Sequence, residues 1–226
     1  MQDKLILFDI DGTLLSVDHL RMRTLIHGLL ERLELIDVEH HRIPFAGRTD
    51  RAIFSDLMGS AAANPARFEE VRQAYLAELN EHLHPSWVEV HDGVEETIQW
   101  CNEQHIPYGL LTGNFEQAAF IKLRLAGLDA HFRFGAFGCD HTDRNALPAI
   151  AHKKAEFSYN RTFTQKDIII IGDTPNDVLC AQHYQARSVA VTTGPYSADQ
   201  LRESNPDYVI TSMQNPHNWL NELLQS

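Results

Sequence analysis

Leu5-Ile6-Leu7-Phe8-Asp9-Ile10-Asp11-Gly12-Thr13-Leu14 runs from four consecutive apolar residues straight into two carboxylates and a glycine. The apolar run is too short for a helix and reads as a strand buried on both faces, the pattern of a parallel sheet. Its C-terminal end then falls at Asp9. Two carboxylates two residues apart on such a strand end can face one cavity, and Gly12 lets the chain turn away sharply. An Asp-Gly turn alone gives the same letters, so the segment needs a second witness.

That witness is Ile168-Ile169-Ile170-Ile171-Gly172-Asp173-Thr174-Pro175-Asn176-Asp177. Four apolar residues again end in acid groups, which places Asp173 and Asp177 at the same sheet edge as Asp9 and Asp11. Clustered acids repel one another unless a cation sits among them, and all-oxygen ligation suits a hard ion such as Mg2+. One of Asp173 and Asp177 is expected to cap the helix that starts near Asn176. A third strand end, Leu110-Leu111-Thr112-Gly113-Asn114, offers a hydroxyl and backbone N–H groups to an anionic oxygen, although Thr-Gly also makes an ordinary turn.

Working outward, short runs at Leu5–Phe8, Tyr108–Leu111, Phe134–Phe137, Ile168–Ile171, Ser188–Val191 and Tyr208–Ile210 predict six strands. Helical patterns alternate with them, such as Val94–Gln104 behind Asp92-Gly93, with Glu95 and Glu96 suited to the helix dipole. The alternation implies an α/β class with a Rossmann-like doubly wound parallel sheet. The interval between the first two strands is far too long for one crossover helix. From Asp18 to His84 it is helical in pattern, with Leu25, Leu29, Leu30 and Leu33 at three- and four-residue spacing and Pro44, Gly47, Gly59 and Pro65 as breaks. The expected division is a core of residues 1–17 plus 86–226 and an all-helical cap of residues 18–85.

Composition narrows the class. With 43% apolar and 22% charged residues, the 226-residue chain is an ordinary globular protein. A formal charge of −12 disfavours nucleic acid as a partner. Cys101, Cys139 and Cys180 form neither a CxxC pair nor a disulfide framework, and no apolar run suits a signal peptide or a membrane span. A cytoplasmic setting without membrane attachment is expected, as a monomer or homodimer. His40-His41, His82-x-His84 and His141, among thirteen histidines, lack the spacing of a zinc-protease site. Trp87, Trp100 and Trp219 sit in amphipathic surroundings and read as packing.

In order and spacing these segments resemble the haloacid dehalogenase-like superfamily, whose phosphatases open with Asp-x-Asp-Gly-Thr-Leu. The long helical insert directly after the first motif resembles the subgroup that includes phosphoglycolate phosphatases. The resemblance implies a magnesium-dependent phosphatase acting on a small phosphorylated metabolite. Asp9 is then the nucleophile, forming an aspartyl-phosphate, and Asp11 the general acid and base. Thr112, with Gly113 and Asn114, binds the phosphoryl group. Asp9, Asp173 and the backbone carbonyl of Asp11 hold Mg2+, and Asp177 supports the metal. Gly47-Arg48-Thr49-Asp50 looks like the substrate loop of the cap, with Arg48 meeting a substrate anion or forming an ion pair with Asp50.

One departure from the family stands out. A lysine usually precedes a Pro-rich stretch after the third strand, and here the chain reads Asp143-Arg144-Asn145-Ala146-Leu147-Pro148. Arg144 is the candidate for that cation, with Lys153 and Lys154 as the alternatives. Asp11 argues against a dehalogenase, Thr13-Leu14 against a hexose phosphomutase, and the absence of any lysine from Asp18 to His84 against a phosphonatase. A phosphomutase and a catalytically silent binding protein remain the alternative readings.

Overall fold

The computed structural model describes residues 4–35 and 43–225. Six parallel strands form one sheet: β1 (Leu5–Phe8), β4 (Tyr108–Leu111), β5 (Gly135–Ala136), β6 (Ile168–Gly172), β7 (Arg187–Val191) and β8 (Tyr208–Ile210), in the order β5-β4-β1-β6-β7-β8. A two-stranded antiparallel ribbon joins β2 (Leu15–Val17) to β3 (Val88–Val90). Three of the expected strands differ in length; Ile168–Ile171 extends by one residue to Gly172, which pairs with Ala190. Phe134–Phe137 shortens to Gly135–Ala136, an edge strand paired only along Leu110–Leu111, and Ser188–Val191 gains Arg187, which pairs with Ile169.

Two-residue periodicity sorts the central strands onto two faces. Ile6 and Phe8 of β1 and Ile169 and Ile171 of β6 pack with helices α4 (Val94–Glu103), α5 (Glu116–Leu125) and α9 (Pro216–Gln225). Leu5, Leu7, Ile168 and Ile170 face α6 (Leu147–Tyr159) and α7 (Pro175–Tyr184) instead. Every residue of β1 and β6 is buried, so an unbroken apolar run is what this position in a doubly wound sheet requires. A further short helix, α8 (Ala198–Arg202), packs through Leu201 beside β7.

Strand order reverses at β1: the chain passes from it to β4 and β5 on one side and then to β6 on the other. Such a switch point opens a crevice at the strands' C-terminal ends. Asp9, Thr112 and Asp173 stand at those ends.

Between β2 and β3 the described secondary structure is helical, with α1 (His19–Arg32), α2 (Asp50–Met58) and α3 (Pro65–His82) as its longer elements. Asp18, Thr49 and Asn64 cap their N-termini through side-chain oxygens. Met22, Ile26, Phe54, Leu57, Tyr75 and Leu79 give these helices their own buried cluster. It is joined to the sheet by Phe115, whose ring lies 6.0 Å from Phe54 and 6.4 Å from both Tyr75 and Phe68. The His40-His41 pair lies outside the described residues. No helix among the described residues is long and apolar enough to cross a membrane.

Because Phe115 belongs to α5's N-terminus yet fills the insert's cluster, it ties the two packing units together. Phe115→Ala is expected to lower stability by about 3–5 kcal/mol in urea unfolding, the range for a deeply buried aromatic. A loss under about 1 kcal/mol would show that the contact is dispensable.

Candidate active site

At the end of β1, the Asp9 N–H continues the ladder by donating to Ile171 O at 2.9 Å, which fixes the side chain at the switch point. The chain then folds back on itself. Gly12 has φ +82°, its N–H donates to Leu15 O at 2.7 Å, and a Cβ there would lie 2.2 Å from Asp173 Oδ2. Glycine is thus required twice at this position, by conformation and by the carboxylate packed against it. Thr13 donates its hydroxyl to Asp173 Oδ1 at 3.1 Å.

Asp9, Asp173 and Asp177 are all buried, and each offers one oxygen within 4.8 Å of the others. Burial pushes the Asp9 carboxyl up to about 6; Arg144 opposes the rise, and Asp177 adds to it. Burial likewise raises Asp173 well above the ordinary carboxylate value, with Asp177 and Asp9 adding to the effect. Clustered carboxylate oxygens in a desolvated pocket could hold a hard divalent cation, with Asp9 and Asp173 the freer donors because both Asp177 oxygens already accept from Arg144 and Thr174.

Arg144 is 8% exposed and reaches Asp9 Oδ2 at 3.2 Å, while it also donates to Asp177 Oδ1. Burial alone would lower its pKa, but Asp177 and Asp9 outweigh that and raise it. The alternatives do not reach the site. Lys154 donates to Asp140 Oδ2 at 2.9 Å and to Gly135 O at 2.8 Å, and Lys153 is exposed on α6. The N-cap of α7 is Thr174 and neither Asp173 nor Asp177; Asp177 closes a capping box from the third helical position, its second oxygen accepting from Thr174 N–H at 3.0 Å and from the Thr174 hydroxyl at 2.7 Å.

At the end of β4, Thr112 Oγ1 accepts from Asn114 Nδ2 at 2.9 Å. Gly113 O accepts from Asp50 N–H at 2.7 Å, and a Cβ on Gly113 would meet Arg48 O at 2.0 Å. The loop ahead of α2 therefore rests directly on this strand end. Arg48 forms its ion pair with Asp56, at 2.6 Å, rather than with Asp50. Asp50 is occupied elsewhere, accepting from Phe115 N–H at 2.8 Å. Burial lifts the Asp50 carboxyl to about 6 against the pull of Lys122.

Lys122 was not singled out by sequence reasoning. It stands on the buried stripe of α5 with Ala118, Ala119 and Leu123, and it donates to both oxygens of Asp11 at 2.8 and 2.7 Å. A lysine on an apolar helical stripe was the signal available. Asp9, Asp11, Thr112, Gly113, Asn114, Arg48, Arg144 and Asp173 line one cavity of about 760 Å3, together with Lys122 and Asp50. Asp177 lies beneath it. Three of the histidines considered for a zinc site are engaged locally: His82 lies 3.5 Å from Glu78, and His84 and His141 accept nearby backbone N–H groups.

The switch point thus carries a buried acidic cluster faced by an arginine, in a cavity that residues of the helical insert also line. The haloacid dehalogenase-like hydrolase family model matches residues 6–191, and the chain belongs to that family. It is 27% identical over 217 residues to pyrophosphatase PpaX of Halalkalibacterium halodurans, covering 94% of each chain. Among solved structures it resembles a predicted phosphoglycolate phosphatase from Haemophilus somnus, with TM-score 0.73 and 19% identity over 97% of this chain and 99% of that one. A β-phosphoglucomutase from Clostridium difficile also shares the fold, with TM-score 0.72 and 16% identity over 100% and 98%.

The raised Asp9 carboxyl has a consequence for stability. A carboxyl whose native pKa exceeds its unfolded value holds its proton more tightly when folded, so the stability it contributes is complete below about pH 4 and is lost as pH rises through about 6. In chelator, Asp9→Asn is expected to melt roughly 5 °C above wild type at pH 7.5, with the gap closing toward pH 4.5. Scanning fluorimetry across that range reads the difference; a gap that is constant with pH would contradict the assignment.

Proposed function

We propose that this chain is a magnesium-dependent phosphatase that hydrolyses a small phosphate monoester through an aspartyl-phosphate on Asp9. The observation that carries this reading is the buried Asp9 carboxylate at the switch point, 3.2 Å from Arg144 and gathered with Asp173 and Asp177. With its carboxyl pushed up to about 6, Asp9 is largely ionised at neutral pH and can attack phosphorus without first losing a proton.

Asp9 and Asp173, with the backbone carbonyl of Asp11, would hold the ion, and Asp177 supports them through Arg144. Bound there, Mg2+ supplies positive charge against the phosphoryl oxygens. Arg144 takes the position that a lysine fills in related enzymes and contributes a fixed cation beside Asp9. The Thr112 hydroxyl accepts from Asn114, which leaves its proton to donate to a phosphoryl oxygen, and the Gly113 and Asn114 backbone lies alongside. Asp11 gives a proton to the departing oxygen and later takes one from the attacking water, so one difficult hydrolysis becomes two easier displacements.

Residues 18–85 act as the cap over the core of residues 1–17 and 86–226, with Arg48 on the loop that meets the substrate. A cavity of about 760 Å3 beneath a lid suits a small metabolite. Pyrophosphate and phosphoglycolate, named in the relatives' descriptions, are the first substrates to try. Three free cysteines fit a reducing, cytoplasmic setting.

Phosphate release from a panel of small phosphate esters and from pyrophosphate, with Mg2+ and with chelator, tests the reading. Release is expected only with the metal, and Asp9→Asn is expected to lower it at least about 1000-fold. Arg144→Ala, which leaves Asp9 beside Asp177 without its cation, is expected to cost roughly 100-fold or more in kcat. Metal-independent release, or an Asp9→Asn variant that keeps its rate, would refute it.

A further inference from the structure

Lys122 is 5% exposed, and an ammonium buried on a helix's apolar stripe is costly unless every proton finds an acceptor. Its Nζ donates to Asp11 Oδ1 at 2.8 Å, to Asp11 Oδ2 at 2.7 Å and to Asn114 Oδ1 at 2.6 Å. An ammonium carries three hydrogens, and these three bonds use them all. Asn114 Nδ2 then donates to Asp11 Oδ2 at 2.7 Å, which closes a ring of Lys122, Asn114 and Asp11.

The ring has a direction. Both oxygens of Asp11 accept, so the ring fixes the orientation of its carboxylate. That side chain is 40% exposed and faces the cavity, where a free carboxylate would sample several rotamers. Lys122 itself is anchored on α5, whose first turn is docked to the insert through Phe115 N–H and Asp50. The acceptor is thus fixed to a helix and not left on the loop that carries it.

We propose that Lys122 is a positioning residue which, through Asn114, holds Asp11 where it removes a proton from the water attacking the phosphoenzyme. The inference rests on the aspartyl-phosphate reading above. In the step concerned, the water oxygen bonds to phosphorus, the bond from phosphorus to Asp9 breaks with its electron pair returning to the carboxylate, and the water's proton passes to Asp11.

Nitrophenyl phosphate separates this step from the one before it, because nitrophenolate departs without needing a proton. Stopped-flow release from Lys122→Met, with Mg2+, is expected to show a burst approaching one nitrophenolate per site and then a slow steady state. The steady-state rate should fall roughly 100-fold further than the burst rate, the usual worth of a positioned base. A purely structural role lowers both rates together and produces no burst, and that result overturns the proposal. Asn114→Ala opens the same ring without removing the buried cation, and should give the same signature if Lys122→Met does not fold. If wild type releases no nitrophenolate at all, the phosphatase reading fails first; if wild type turns over and neither variant bursts, only the role of Lys122 fails.

Discussion

Negative charge confined where water is scarce is the constraint on which the rest of this molecule depends. Asp9, Asp173 and Asp177 are buried at the ends of β1 and β6 with oxygens within 4.8 Å of one another. Like charges at that spacing repel strongly in a medium of low polarity, and desolvation adds to the cost. The surrounding residues answer that cost. Arg144 lies between Asp9 and Asp177, Thr13 donates to Asp173, and Gly12 lets the chain pass against the Asp173 carboxylate where any side chain would collide. The apolar runs of β1 and β6 do their part by holding these strand ends rigidly, every residue buried.

The two carboxylates of the first motif receive opposite surroundings although one residue separates them. Asp9 is sunk at the strand end beside a guanidinium, with its carboxyl lifted by burial. Asp11 is half-exposed on the turn and is met by an ammonium and an amide. Paired acids placed in unlike environments are the usual basis for a division of labour between nucleophile and proton carrier. The insert meets the same surroundings, since the loop ahead of α2 rests on Gly113 while Asp50 accepts from Phe115 N–H at the start of α5, the helix that carries Lys122.

Much of this was legible in the sequence because buried parallel strands announce themselves as apolar runs. Leu5–Phe8, Tyr108–Leu111 and Tyr208–Ile210 coincide with their strands, and their ends located Asp9 and Thr112. What was not legible depends on partners distant in the chain. The β2–β3 ribbon is two three-residue segments with no periodicity to read, paired across the whole insert. The expected Phe134–Phe137 strand is cut short because β5 is an edge with one neighbour: Phe134 still accepts from Leu110 N–H at 3.2 Å, but the Phe134 and Phe137 rings serve packing. Arg48 found Asp56, nearly two turns into α2, instead of Asp50, which the backbone N–H of Phe115 had already engaged. Lys122 looked like any lysine on an amphipathic helix. Its place on the stripe of Ala118, Ala119 and Leu123 marks it as inward-facing, but only the three-dimensional meeting of α5 with the turn after β1 reveals that it reaches Asp11.

The central claim is that Asp9 becomes covalently phosphorylated, and trapping that intermediate addresses it most directly. Turnover of a small phosphate ester with Mg2+, quenched in acid and reduced with borohydride, converts an aspartyl-phosphate to an alcohol that peptide mass spectrometry can locate. The account predicts the reduced residue at position 9, within the peptide that contains Leu5–Leu14. Reduction at Asp11 or Asp173 instead, or phosphate release with no reduced residue anywhere, would contradict it.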